Sequence, residues 1–331
     1  MPASSTFARS DWEILAGFWH PVAYAEEVAK GPVSATLLDV ELVLYRSGGG
    51  VVAALDRCSH RGTKLSLGHV TDGCAVCPYH GLLFGEAGAC RGRPGMNGPL
   101  PGLNLATQAV SERFGIIWVC LRPAARFPLP DWRELEQADI RSMHLSDVWE
   151  AAASRHAENF TDLAHVSFVH ASTFGDPAAP EIPPYAVEHD EQGLTRMIRY
   201  QEIDFDDVTG QNLGPVPTLY RYRLSLPFAT WLSIEYPHRP IRHFMDVPSP
   251  ISARRSRIFL IAASPDPRFD PHAYHSFQSI VNREDRAVVQ SQRPEELPLD
   301  LREEVHLGAD RFSVEYRRRL AALGLGSDFS A

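Results

Sequence analysis

The 331-residue chain carries 32 Lys and Arg against 41 Asp and Glu, a net charge of −9, so it lacks the basic footprint of a nucleic-acid-binding surface. With 44% hydrophobic and 22% charged residues it has an ordinary globular composition, and its length predicts about two domains, each able to bury a core. The longest apolar runs, Ile116–Leu121 and Ile258–Ala263, are far short of the ~20 residues that span a bilayer. Residues 1–10 lack the apolar stretch of a signal peptide. The expectation is a cytoplasmic protein with neither membrane nor nucleic acid as partner.

Residues 11–30 hold the aromatics Trp12, Phe18, Trp19 and Tyr24, which anchor the N-terminus, and His20 among them is assigned to packing. Thr36–Tyr45 reads as one β-rich run, and Gly48–Gly50 as a hairpin turn into Val51–Leu55. Two turn-rich segments follow, Cys58-Ser-His60-Arg61-Gly62 and, after sixteen residues beyond His60, Cys77-Pro-Tyr-His80-Gly81. Two thiolates and two neutral imidazoles form a donor set for zinc or an iron–sulfur cluster. Two Cys on one iron and two His on the other is the arrangement of a Rieske [2Fe–2S] centre, whose nitrogen donors raise the reduction potential. Donor identity alone leaves a four-ligand zinc site open. The surrounding residues, C-x-H-R-G and C-P-Y-H-G, resemble the Rieske motif of ring-hydroxylating oxygenases. Of the five cysteines, Cys74 makes a C-x-x-C with Cys77 but has no second pair, and is read as a bystander. The stretch 81–102 is rich in glycine and proline and reads as loop and turn. Phe114–Leu121 is a continuous apolar strand containing a buried Cys120.

Three prolines between Arg122 and Asp131 mark a linker. The predicted division is a first domain over 1–122, a linker over 123–131 and a second domain over 132–331. The second half opens with a helical stretch at about 156–170. Strand-like segments follow at 185–188, 194–205, 218–226, 230–236, 241–247 and 256–263. In 220–226 the alternating arginines fit a half-exposed antiparallel strand. Helices are predicted over 273–293, ended by Pro294, and over 310–323, stopped by Gly324. Strands framed by helices suggest an α+β domain whose sheet wraps a pocket.

The second informative stretch is Glu158-Asn159-Phe-Thr-Asp162-Leu-Ala-His165-Val-Ser-Phe-Val-His170. On a helix, Asp162 and His165 would be about 300° apart and so side by side, with Asn159 one turn earlier. An aspartate there can accept the distal N–H of the imidazole and aim its other nitrogen at a metal. His165 and His170 would be about 140° apart, too far for one metal, so the helix must widen, bend or end between them. A 2-His-1-carboxylate site also needs an acid. Asp285 and its neighbour Glu284 are the candidates, and on a helix only one of them faces the metal.

Asn-x-x-Asp-x-x-His-x-x-x-x-His downstream of a Rieske motif resembles the mononuclear iron site of Rieske non-heme iron oxygenase terminal components. In that family a late Glu-Asp-x-x-x-x-x-x-Gln segment supplies the carboxylate, matched here by Glu284-Asp285 and Gln292. The resemblance runs from the cluster domain to the C-terminal helix and is nearest the alpha-subunit-only branch, with its O- and N-demethylases and toxin hydroxylases. Where many members have Trp after C-P-Y-H-G, this chain has Leu82. The resemblance implies an all-β Rieske domain followed by a helix-grip (START-like) catalytic domain. Cys58, His60, Cys77 and His80 would hold the cluster, and His165, His170 and Asp285 the Fe(II), with Asn159 and Asp162 beside it. It also implies O2 as cosubstrate and electrons from NAD(P)H through a separate reductase or ferredoxin. Finally it implies a homotrimer, in which Asp162 links His165 of one subunit to His80 of the next.

Arg57, Arg61, Lys64, Arg91 and Arg93 lie near the cluster loops and form a candidate patch for an acidic electron donor. The pocket is expected to be lined from Val166–Phe174 and by Phe228, Trp231, Tyr236 and Phe244. The favoured reaction is monooxygenation, as hydroxylation or oxidative demethylation, of a small aromatic or heterocyclic substrate. The alternatives are cis-dihydroxylation of an arene and a Rieske-type electron carrier without oxygenase activity.

Overall fold

The computed structural model describes residues 1–95, 98–205 and 211–326. It divides into two compact units, Met1–Leu129 and Pro130–Ala331. No helix or strand covers residues 121–132.

The first unit is built of short strands. In chain order they are β1 (His20–Tyr24), β2 (Val33–Leu37), β3 (Val40–Ser47), β4 (Gly50–Leu55), β5 (His69–Thr71), β6 (Cys74–Val76), β7 (Leu83–Phe84), β8 (Cys90–Gly92), β9 (Ala109–Arg113) and β10 (Ile116–Cys120). The helices α1 (Arg9–Leu15) and α2 (Ala25–Val28) flank β1. Three antiparallel sheets result, ordered β1-β10-β9, β2-β3-β4 and β5-β6-β7-β8. The predicted turn at Gly48–Gly50 joins β3 to β4. The run Thr36–Tyr45 is not one strand, however. Leu38 and Asp39 take φ of 51° and 63° and turn β2 back onto β3 as a two-residue hairpin. Both residues carry side chains where a glycine or asparagine signal is normal, so this turn left no mark in the sequence. The stretch 81–102, expected to be loop, still contributes β7 and β8; of it, Met96 and Asn97 lie outside the described residues.

The second unit is one seven-stranded antiparallel sheet with helices against it. Its strands are β11 (Arg141–Trp149), β12 (Val187–His189), β13 (Gly193–Phe205), β14 (Asn212–Ser225), β15 (Ala229–Glu235), β16 (Arg242–Ser252) and β17 (Arg255–Ser264). They are ordered β11-β17-β16-β15-β14-β13-β12. The helices are α3 (Ala153–Thr161), α4 (Val166–Val169), α5 (Pro271–Val289) and α6 (Arg311–Ala322). Strand β13 buries Leu194, Arg196, Ile198, Tyr200 and Glu202 while Thr195, Met197, Arg199 and Gln201 are exposed, the period-two pattern of a one-sided strand. Arg221 and Arg223 lie on the outward side of β14 and pair with Glu235 and Glu134. The edge strand β11 was not predicted from the sequence. The fold class is the expected one, a β-domain followed by an α+β domain whose long helix and sheet enclose a cavity. Among the described residues no helix is long and apolar enough to cross a membrane.

Candidate metal sites and the cavity beside them

The two Cys-x-His loops are the same turn made twice. In the first, Cys58 N donates to Thr63 O and Gly62 N to Cys58 O, both at 2.8 Å. In the second, Cys77 N donates to Leu82 O at 2.8 Å and Gly81 N to Cys77 O at 3.0 Å. Gly62 and Gly81 close the turns with φ of 75° and 70°, a region that favours glycine. Both thiols point inward, with Cys58 2% and Cys77 1% exposed. The rings of His60 and His80 lie nearer the surface with centroids 4.8 Å apart. Burial pushes the Cys58 thiol up; backbone N–H groups of His60 and Arg61 pull against it, while the neighbouring Cys77 adds to the rise. Two buried sulfurs, that of Cys58 facing backbone N–H donors, with two imidazoles at the rim, fit a cluster with one iron bound by sulfur and one by nitrogen. Cys74 lies on β6 outside this arrangement, and Cys120 is buried with its thiol on Ala16 O. His20 is buried on Leu15 O at 2.9 Å, and burial lowers its pKa to about 4.

The second motif departs from the expected geometry. No continuous helix runs from 156 to 170. Helix α3 ends at Thr161, Asp162 is extended (φ −80°, ψ 144°), and a single turn, α4, stands between His165 and His170. The break therefore precedes His165 instead of falling between the histidines. Asp162 makes the turn. Its Oδ1 accepts from Ala164 N at 3.0 Å, and its Oδ2 accepts from His165 N at 3.1 Å and lies 3.0 Å from His165 Nδ1. Asp162 and His165 are neighbours because of that turn and not because of helical spacing.

His165 Nε2 and His170 Nε2 converge on one carboxylate oxygen, Asp285 Oδ1, at 3.3 and 3.2 Å. Ligand atoms of His165, His170 and Asp285 all lie within 4.8 Å of one another. The far nitrogens are held by two other acids, His165 Nδ1 by Asp162 and His170 Nδ1 by Glu284 at 2.8 Å. Ser172 and Thr173 donate to Glu284 from the other side. Asn159 Nδ2 reaches Asp285 Oδ1 at 3.3 Å. Burial opposes charging His165, but hydrogen bonds to Asp162 and Asp285 outweigh it and raise its pKa to about 9 in the metal-free chain. Burial likewise opposes ionising Asp285, and the two histidines hold its carboxyl well below the usual range. Two Nε2 atoms and one carboxylate facing a common point, each imidazole fixed through Nδ1, fit one divalent metal.

Two residues outside the motif shape this turn. The buried Arg196 donates to Thr161 O at the end of α3, its guanidinium lying over the rings of Tyr185, Tyr222 and Phe312 at 5.0, 4.4 and 4.9 Å. Gly175 N donates to His170 O at 2.9 Å, and a Cβ there would fall 2.1 Å from Val166 O. Spacing gives no sign of either, since both act on backbone atoms.

The three convergent residues open on a cavity of about 440 Å³. Val166, His170 and Ser172–Phe174 line it, as do Tyr236 and Phe244. Phe228 and Trp231, also expected there, do not. Leu232 and Ile234 face the cavity from β15, so alternation turns Trp231 to the other side, where it stacks on Trp132 and His243.

Residues 18–109 match the Rieske [2Fe-2S] domain, and residues 149–325 match the vanillate O-demethylase oxygenase C-terminal domain. The chain is a Rieske non-heme iron oxygenase. This Rieske oxygenase is 32% identical to the methylxanthine N1-demethylase NdmA of Pseudomonas putida, over 94% of its own length and 90% of the relative's. The solved structure of NdmA with caffeine matches at TM-score 0.80 and 30% identity, covering 94% of this chain and 91% of that one. The oxygenase component of dicamba O-demethylase from Stenotrophomonas maltophilia is 37% identical over 46% of each protein. Dicamba monooxygenase bound to dicamba shares the fold at TM-score 0.79 and 22% identity, over 93% of this chain and 97% of the other. Two relatives, the dicamba and vanillate O-demethylases, are named as an oxygenase component and an oxygenase subunit. As a member of this family the protein is an oxidoreductase that uses a Rieske cluster, a non-heme iron and O2, with a separate electron donor and a small-molecule substrate.

Proposed function

We propose that the protein is the terminal oxygenase of a monooxygenase system that hydroxylates or oxidatively demethylates a small aromatic or heterocyclic compound. The observation that carries this is the convergence of His165 Nε2 and His170 Nε2 on Asp285 Oδ1 at the wall of a cavity lined in part by Phe and Tyr side chains. Demethylation is favoured because a relative matched over nearly the whole chain is a demethylase. Cys58, His60, Cys77 and His80 hold the cluster in this reading, and His165, His170 and Asp285 the iron. When bound, the cluster delivers single electrons and the iron activates O2 next to the substrate. Asp162 and Glu284 fix the tautomers of the two iron histidines, and Asn159 steadies Asp285. Residues 1–122 form the cluster domain, 123–131 the linker and 132–331 the catalytic domain.

The protein works in the cytoplasm as a homotrimer, with Asp162 of one subunit meeting His80 of the next so that electrons cross between subunits. Asp162 keeps both carboxylate oxygens on its own turn, which aims His165 without using up every lone pair. The exposed Arg57, Arg61, Arg91 and Arg93 receive an acidic reductase or ferredoxin, while Lys64 is engaged by Glu41 at 2.5 Å. The test is a panel of methoxylated and N-methylated aromatic and heterocyclic compounds with a reductase and NADH. Coupled O2 uptake with formaldehyde or a hydroxylated product is expected. A cis-diol product, or reduction of the cluster without product from any compound, would overturn the reading. Iron analysis gives about three irons per chain for the oxygenase and about two for a bare Rieske carrier.

A further inference from the structure

His156 and Asp246 form a buried pair apart from the residues assigned to the cluster and the iron. His156 Nε2 lies 2.7 Å from Asp246 Oδ1, with the side chains 4% and 1% exposed. The pair joins α3 to β16, and both residues line the same cavity as His165, His170 and Asp285. It sits near that triad. His156 is one helical turn before Asn159, which bonds Asp285, and the charge of Asp285 reaches Asp246. The remaining polar atoms of the pair, His156 Nδ1 and Asp246 Oδ2, have no hydrogen-bond partner among the described residues. Neither does Nε1 of the buried Trp149, whose ring meets His156 edge-on at 4.4 Å and which also lines the cavity.

Buried polar atoms left unpaired are costly, and three of them on one wall call for a hydrogen-bonding guest. Water fits, because a buried water needs two to four polar partners. The chemistry of the pair is directional. Asp246 accepts from Nε2, which leaves Nδ1 as the ring atom free to exchange a proton with a guest. Asp285 is the charged group facing the pair from α5. Burial raises the Asp246 carboxyl, His156 opposes the rise and Asp285 adds to it.

We propose that His156 and Asp246 hold an ordered water beside the iron triad and pass protons through it to the oxygen undergoing reduction. This rests on the oxygenase reading. Demethylation of a methyl ether balances as ROCH3 + O2 + 2e⁻ + 2H⁺ giving ROH, CH2O and H2O. The separate reductase supplies both electrons, and solvent supplies both protons, each relayed as His156 Nδ1 releases one to the held water and regains another. The pair acts by positioning and charging that water.

Two measurements test it. In a crystal structure of the holoenzyme, a water bonded to His156 Nδ1 and to a second cavity-facing polar atom is expected; a dry Nδ1 overturns the proposal. Wild type, His156→Gln and Asp246→Asn are then compared with reductase and whichever compound gives coupled turnover. Cluster content, iron content and substrate Kd should be unchanged. Product formation should fall roughly hundredfold, O2 should be diverted to hydrogen peroxide, and the wild-type solvent deuterium isotope effect should disappear. Equal coupling and equal isotope effects in all three proteins overturn the proposal. If no compound turns over with the wild type, the oxygenase reading fails by itself, and the water position still decides this one; it also decides if the variants do not fold.

Discussion

Glu284 and Asp285, adjacent on α5, hold opposite nitrogens of one imidazole, that of His170: Glu284 Oε2 lies 2.8 Å from Nδ1, and Asp285 Oδ1 lies 3.2 Å from Nε2. Side chains one residue apart on a helix diverge by about 100°, so His170 is inserted into the angle between them. Glu284 therefore holds the imidazole from the side away from Asp285, and in the proposed iron site it orients His170 instead of binding the metal. Replacing Glu284 with Ala should lower iron affinity about 10- to 100-fold while leaving the cluster spectrum intact. Iron titration of protein stripped of its mononuclear metal checks this, and an unchanged affinity would remove Glu284 from the site.

Asp162→Asn should leave both metals bound and abolish coupled turnover, because an amide cannot accept from His165 and also receive an imidazole from a second subunit. Iron analysis and product yield measured on the same sample decide it. Product formation near the wild-type level would sink the bridge.

Gly175→Ala should cost the protein its iron before it costs the fold. The added methyl would meet Val166 O at 2.1 Å and His170 O at 3.0 Å, both in the turn that spaces the two histidines. A loss of mononuclear iron with a thermal shift of only a few degrees is expected, and full iron loading would contradict it.

Acid should loosen the second unit through Glu304. Burial raises its carboxyl, but hydrogen bonds from Arg155 and Arg317 outweigh burial and hold it below the ordinary value of 4.5. A carboxylate depressed in the folded state stabilises fully above its unfolded pKa, and that contribution is lost as pH falls through the lower folded value. Urea midpoints from pH 6 to pH 3 should show Glu304→Gln less stable at the upper end and the gap to wild type closing toward the lower. A constant gap would exclude the linkage. Removing Arg317, which is 4% exposed between Glu158 and Glu304, should be harsher, because the two acids then share Arg155 alone.

Residue chemistry and spacing carried much of this molecule. Cys58, His60, Cys77 and His80 are legible because turn glycines follow each pair, and β13 and β14 because their buried and outward residues alternate. What escaped was set by backbone geometry. The hairpin at Leu38-Asp39 uses side-chain-bearing residues at positive φ, and the break at Asp162 has neither glycine nor proline to announce it. Trp231 was misplaced because an aromatic residue on a strand buried on both faces looks the same whichever face it serves. The pairing of Glu284 with His170 and of His156 with Asp246 joins residues 114 and 90 positions apart, which no local pattern encodes.

The cation cage at Arg196 ties the end of the chain to its middle. Phe312 of α6 closes the third side of a guanidinium that grips Thr161 O, the last carbonyl before the turn made by Asp162. The final helix is thus a brace on the joint that aims His165. A truncation or fusion that disturbs α6 would be felt first as a slack hinge at Asp162, in a protein whose sheet and cluster domain still stand.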